Sequence, residues 1–314
     1  MEKSSWIRKM FEEGIRLKQQ FGDENVFDLS LGNPVMEPPQ EVRNALIESA
    51  QDESPGLHRY MPNAGFADVR TVIADSLSPE CKIKLSANDV VMVCGAAGGI
   101  NITLKTLLDP GDEVIIFTPY FVEYLFYADN HGGKAVAVPT RDDFHLDFSA
   151  LKSALNEKTK AVIINSPNNP TGVVYSRQEL QELGQILKAH SDQTSKVVTL
   201  ISDDPYKKIA FDGVEVPNIM EFYDNSIYIT SHSKDIALPG ERIGFVALHP
   251  RCEDAGSLMA GLIFCNRVLG FVNAPALIQR VIKKVQGVTV DVELYRRKRD
   301  FLYQELTRIG YQVV

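Results

Sequence analysis

The chain has 314 residues, 44% of them hydrophobic, with 33 Lys and Arg against 41 Asp and Glu. That length supports a large core and two domains, and the formal net charge of −8 argues against a nucleic-acid or anionic-membrane surface and for small metabolites as partners. Cys81, Cys94, Cys252 and Cys265 lie far apart with no C-x-x-C pair, and the six histidines show no metal-ligand spacing, so reduced thiols, no metal site and a cytoplasmic protein are expected.

Taken in order, Ser4 to about Gln20 reads as an amphipathic helix with Trp6, Ile7, Met10, Phe11 and Ile15 on one side, a face suited to the core or to a partner subunit. The charged N-terminus has no apolar leader run, and no stretch reaches transmembrane length. Asp28 to Pro34 reads as a short strand entering a turn, Pro38-Pro39 opens a helix to about Ala50, and 52–64 reads as a loop containing Tyr60.

From Gly65 the pattern becomes regular. Helices are expected near 65–77, 98–108, 120–130, 147–155 and 176–190, and strands near 89–94, 113–117, 134–138, 160–165, 197–202, 226–230 and 243–248. Alternating helices and near-continuous apolar strands predict an α/β fold whose mostly parallel sheet is sandwiched by helices, with ligands at the carboxyl ends of the strands. Beyond residue 252 the chain reads as helical, with one long helix or two between Ala274 and Ile309. The run Arg296-Arg297-Lys298-Arg299 reads as a solvated helix face, and Arg308 to Val314 as a strand beginning, which suggests a chain cut short.

The strand ends carry the chemistry. Val90 to Asn101 is a strand, a small-residue turn at Gly95-Ala96-Ala97 and a helix start, the arrangement that presents backbone N–H groups to a phosphate; it matches neither G-x-G-x-x-G nor the P-loop, and tight helix–strand packing explains its small residues equally well. Tyr120 follows the strand at 113–117 and can stack on a flat ligand or pack in the core. Asn165-Ser166-Pro167-Asn168-Asn169-Pro170 is either a polar turn or a site where an amide reaches a ligand oxygen. Asp203-Asp204-Pro205-Tyr206 ends another strand in two carboxylates and a phenol; such acids serve as caps, as metal ligands or as partners of a protonated pyridine nitrogen. Between two buried strands, Ser231-His232-Ser233-Lys234 leads through a turn to Gly240-Glu241-Arg242-Ile243-Gly244. There Ser231 and Arg242 can bind a phosphate while Lys234 can react with an aldehyde, a combination that suggests pyridoxal phosphate.

These residues resemble those of the fold type I pyridoxal-phosphate enzymes, the class I/II aminotransferases of the aspartate aminotransferase superfamily, from the first helix to the last residue. Ser166-Pro167-Asn168-Asn169-Pro170-Thr171-Gly172, Ser231-x-Ser233-Lys234 and Gly240-x-Arg242-x-Gly244 are the most specific motifs. The resemblance implies that Lys234 is the Schiff-base lysine, Asp203 the partner of the pyridine nitrogen, Tyr206 and Asn169 the partners of the phenolic oxygen, and Tyr120 the stacking ring. It assigns the phosphate to Gly95, Ala96 and Ala97 through their backbone, to Ser231 and Arg242, and to Tyr60 from a second subunit, hence a homodimer. Gly32 approaches the substrate carboxylate, with Asn169 nearby.

The same resemblance implies a large cofactor domain over 46–280, a first part of the small domain over 1–45 and the start of its remainder over 281–314, with amino acid and 2-oxo acid as substrates. Two positions depart from the family. The arginine expected to clamp the substrate α-carboxylate lies beyond Val314, and Ala97 stands where a hydroxyl is common and where one aspartate-handling subgroup has a lysine. A pyridoxal-phosphate lyase working by β-elimination, or a sensing domain that keeps the fold without turnover, are the alternative readings.

Overall fold

A computed structural model describes residues 6–29 and 32–313, the side chains of residues 6–8 and 11 excepted. Contacts divide it into two units, Met1–Glu37 and Pro38–Val314. The first holds α1 (Trp6–Phe21) and a single 3-10 turn at Asp23–Asn25. Met10 and Ile15 on the expected apolar face are each 43% exposed, and Trp6, Ile7 and Phe11 fall among the undescribed side chains, as Ser4 falls outside the described residues. The strand expected at Asp28 to Pro34 is a correction: 28, 29 and 32–34 are irregular, Ser30 and Leu31 lie outside the described residues, and a strand needs a paired neighbour that none of the described residues here supplies.

The second unit runs α2 (Gln40–Ala50), α3 (Ala67–Cys81), β1 (Val90–Val93), α4 (Gly95–Leu107), β2 (Glu113–Thr118), α5 (Glu123–Asp129), β3 (Lys134–Pro139), α6 (Phe148–Ala154), β4 (Thr159–Ile164), α7 (Arg177–Thr194), β5 (Thr199–Asp203), β6 (Ser226–Ser231), β7 (Gly244–Leu248), α8 (Ala255–Val268), α9 (Ala276–Lys284) and α10 (Val292–Arg308). The seven strands form one sheet in the order β1-β7-β6-β5-β4-β2-β3. Pairing is parallel from β3 through β6, and β7 runs antiparallel to both β6 and β1.

Both faces of this sheet are covered, which is why its strands read as continuous apolar runs. Alternate residues serve opposite cores: Val90 and Met92 pack with Val42, Ile73 and Val281 from α2, α3 and α9, whereas Val91 and Val93 pack with Ile100, Tyr124 and Leu262 from α4, α5 and α8. Gly99 lets α4 lie directly on the sheet, because a Cβ there would stand 2.8 Å from Ile229 Cγ2 and 3.0 Å from Val246 Cγ2.

Two further expectations shift, the end of α3 and the strand after Arg308, while residues 274–309 take one of the forms expected. α3 continues past residue 77, with Pro79 inside it, to Cys81, where Lys82 ends it in the left-handed conformation. Residues 274–309 hold two helices, α9 and α10, and the described residues 309–313 after α10 form a turn and irregular chain rather than a strand. α10 itself buries no residue, so its arginines do lie on a solvated helix: Arg296 bonds Glu293 and Asp300, and Arg299 bonds Asp212 and Asp300. No helix among the described residues is long and apolar enough to cross a membrane.

Candidate active site

Because β7 runs against its neighbours, its first residue, Gly244, sits between Val93 at the end of β1 and Ser231 at the end of β6. One edge of the sheet therefore gathers Gly95 after β1, Tyr120 after β2, Asn165 and Asn169 after β4, Asp203 ending β5, Ser231 ending β6 with Lys234 beyond it, and Arg242 just before β7.

At one end of this edge is a set of donors. α4 begins at Gly95, three residues earlier than the apolar pattern suggests, with φ 71°, and Gly95, Ala96 and Ala97 form its first turn. The N–H groups of a first turn have no acceptor within the helix, and Cys94 at the cap supplies no side-chain bond. The Arg242 guanidinium fills the space over Gly95: a Cβ built on that glycine would stand 2.7 Å from Nη2. Nη1 donates to the Pro239 carbonyl at 3.0 Å, which fixes the arginine from behind. Ser231 is buried, its Oγ 3.1 Å from Ser233 Oγ.

The acid lies at the other end. Asp203 is 6% exposed; its Oδ2 accepts from the Tyr124 hydroxyl at 2.7 Å, and its Oδ1 is buried with no hydrogen-bond partner among the described residues. Burial pushes this carboxyl up to about 6, with the Tyr124 bond pulling the other way. Its backbone is pinned by Asn165, whose Nδ2 donates to the Asp203 carbonyl at 2.5 Å while its Oδ1 accepts from Asn169 N at 2.6 Å. Ser166-Pro167 and Asn169-Pro170 are both cis. The Asn169 side chain bonds the Tyr206 hydroxyl; burial first, then the charge of Asp203, raises Tyr206 to about 12, so its phenol stays protonated near neutral pH.

Lys234 lies half-buried between these ends, and burial lowers its pKa from the usual lysine value. Its loop is tied on both sides. His232 N donates to the Ile243 carbonyl at 3.0 Å and Leu238 N to the His232 carbonyl at 3.1 Å. His232 Nδ1 is 2.9 Å from Asp235 Oδ2, and the Asp235 carbonyl accepts from Val290 N at 2.7 Å. Tyr120 is half-buried and, like Ala96 and Ala97, packs against the second core cluster. Tyr60 is not gathered in: it is 95% exposed and lines a surface groove with Phe271 and Asn273. Gly32 belongs to the other unit. The sequence reading gives Tyr124 no role and does not connect Asn165 with Asp203, because they reach the acid from α5 and from the residue after β4, across 79 and 38 residues of chain.

The residues present fit pyridoxal phosphate. An uncompensated buried carboxylate oxygen costs about 1–3 kcal/mol or more, and a protonated ring nitrogen would supply the partner that Asp203 Oδ1 lacks among the described residues. Arg242 packs on the Gly95 backbone, and together with the first-turn N–H groups of α4 and Ser231 it makes a set of donors that suits a phosphate. A lysine of lowered proton affinity suits an aldehyde.

Fold and site thus define an α/β enzyme of the pyridoxal-phosphate-dependent class. Residues 24–314 match the family model for aminotransferase class I and II. The chain belongs to that family and catalyses amino-group transfer; β-elimination and a sensing role are not favoured. It is 28% identical to a probable aspartate aminotransferase of Methanocaldococcus jannaschii, covering 98% of this chain and 80% of the relative. It is also 28% identical to aromatic-amino-acid aminotransferase 2 of Thermococcus litoralis, covering 100% and 78%. A crystal structure of an amino transferase from Eubacterium rectale superposes with a TM-score of 0.94 at 39% identity, covering 98% of this chain and 78% of that one.

Proposed function

We propose that Lys234 Nζ would hold pyridoxal phosphate at its aldehyde and, once an amino acid had taken that place, would carry the Cα proton of the amino acid. An amino acid and a 2-oxo acid are the substrates of the family. The observation that carries these roles is the lysine of lowered proton affinity on the same sheet edge as the buried, half-partnered carboxylate of Asp203.

Pyridoxal phosphate, when bound, supplies an electrophilic carbon and a protonated ring that accepts the electron pair left by deprotonation. Asp203 Oδ1 holds the ring nitrogen's proton by opposite charge. Tyr206 and Asn169 bind the phenolic oxygen, and Tyr120 lies against the ring face. The backbone of Gly95, Ala96 and Ala97, with Ser231 and Arg242, anchors the phosphate and fixes orientation. Lys234 would accept the Cα proton and hold it for return on the other side of the transfer, and a water molecule would supply the oxygen of the departing 2-oxo acid while the amino group stays behind.

Tyr60 completes the phosphate site of a second copy in a homodimer; its 95% exposure supports this role. The large domain spans about 46–280, with small-domain segments over 1–45 and 281–314; the absence of buried residues in α10 supports placing that helix outside the large core. Four free thiols support a cytoplasmic setting. Aspartate and aromatic amino acids, named for the relatives, are the first donors to try. Transfer of the amino group to 2-oxoglutarate or oxaloacetate, assayed over a panel of amino acids with cofactor present, tests the reading; no transfer from any donor by protein that has taken up the cofactor would overturn it.

A further inference from the structure

Asp203 is held in an asymmetric way. Oδ2 accepts the Tyr124 hydroxyl at 2.7 Å, and Oδ1 alone is left without a partner among the described residues. Tyr124 comes from the first turn of α5, 79 residues before the acid, and has no place in the sequence motifs. Its ring is 3% exposed and stands edge-on to Phe121, centroids 5.7 Å apart and planes 83° apart. The hydroxyl therefore cannot swing to solvent, and it belongs to a ring that the second core cluster packs in place. The Asp203 main chain is fixed independently through Asn165.

A carboxylate gripped at one oxygen and at its backbone has one orientation left. We propose that Tyr124 is a positioning residue: its hydroxyl occupies Asp203 Oδ2, leaves Oδ1 as the single oxygen presented to the ring nitrogen, and keeps the carboxyl ionised to receive it. The inference rests on the role given to Asp203 above. Two chemical points support it. A donor favours the charged form of its acceptor, and it offsets part of the burial that drives the Asp203 pKa upward. Tyr124 itself is driven well above the ordinary phenol value, by burial first and then by Asp203, so it remains a donor across the working pH range.

The test is cofactor binding to full-length protein freed of cofactor, followed by fluorescence quenching between pH 5 and 8, with folding checked by near-UV circular dichroism. Tyr124→Phe keeps the ring and removes the donor. Its cofactor Kd should rise about 10-fold near pH 7, the scale of one hydrogen bond to a charged group. Its binding should also weaken on acidification from a higher pH than wild type, because Asp203 without its donor protonates earlier. Site-specific replacement of Tyr124 by 3-fluorotyrosine, a stronger donor of almost the same size, should move that pH profile the opposite way, and it covers the case in which Tyr124→Phe does not fold. Asp203→Ala should bind weakly with no carboxylate step in the profile. A wild-type pH profile in both folded Tyr124 variants, with the step lost in Asp203→Ala, overturns the inference alone. An unchanged step in Asp203→Ala overturns the role of Asp203 instead.

Discussion

The Arg242 guanidinium stands directly over the Gly95 backbone, in space that no side chain at that position can share. Gly95 also has a positive φ of 71°, which disfavours any residue with a Cβ. Gly95→Ala should therefore displace Arg242 and the first turn of α4 together. We expect a loss of about 1–2 kcal/mol in stability and at least a ~10-fold weaker hold on the cofactor phosphate. Thermal melts and cofactor titration measure the two effects, and a variant that binds like wild type breaks the link between this contact and the phosphate.

On the roles proposed for it, Lys234→Ala would remove both the attachment point and the proton carrier. It should fold and still hold the cofactor through the phosphate donors, yet lose about 10⁴-fold or more in single-turnover rate, the upper end of what acid–base catalysis by one side chain supplies. Rapid-mixing absorbance of the bound cofactor reads the rate. Near wild-type turnover rules the lysine out.

For Asp203→Ala the expected split is in kcat rather than KM. The charge opposite the ring nitrogen matters most as the electron pair develops, so kcat should drop about 10²–10³-fold while substrate KM moves little. Steady-state kinetics at saturating cofactor distinguish this from a simple loss of binding, which would leave kcat unchanged once the site is filled.

Asp204, next along the chain, gives a stability prediction with a definite sign. Burial pushes its carboxyl to about 7, against the Ser202 hydroxyl, whose Oγ donates to Oδ1 at 2.6 Å, and the positive charge of Lys207. A carboxyl whose folded pKa lies above its unfolded value binds protons more tightly when folded. Its stabilising contribution is thus full below about pH 4 and is lost as pH rises to about 7. Asp204→Asn should stabilise the cofactor-free protein at pH 8 by up to about 4 kcal/mol, read as a higher melting temperature, and change it little at pH 4.5. An equal shift at both pH values sinks this account.

Strands were legible because a sheet covered on both faces demands unbroken apolar runs, and all seven fell within two residues of expectation. Starts and stops marked by small residues or proline were not. Gly95-Ala96-Ala97 looks like a turn but forms a helical first turn, and Pro79 looks like a stop but lies inside α3. The sequence at 28–34 resembles a strand locally, yet a strand exists only if a neighbour completes its ladder. Most residues that the structure gathers on one sheet edge are singled out by their motifs. The roles of Asn165 and Tyr124 could not be read there, since what matters in them is a bond made across 38 and 79 residues of sequence.

The place of β7 between β1 and β6 also has a consequence for synthesis. Among the described residues β1 has one sheet neighbour, and Val90 meets it at Ala247, about 150 residues later. As the chain leaves the ribosome, β1 and the α4 turn attached to it have no ladder to join until nearly all of the sheet has been made. The phosphate end of the site is thus written early and closed late, and the parallel strands between them form the part of the sheet that can assemble first. A chain without β7 has Asp203 in place but neither Arg242 nor a fixed Gly95, so on the proposed roles cofactor uptake would report completion of the sheet.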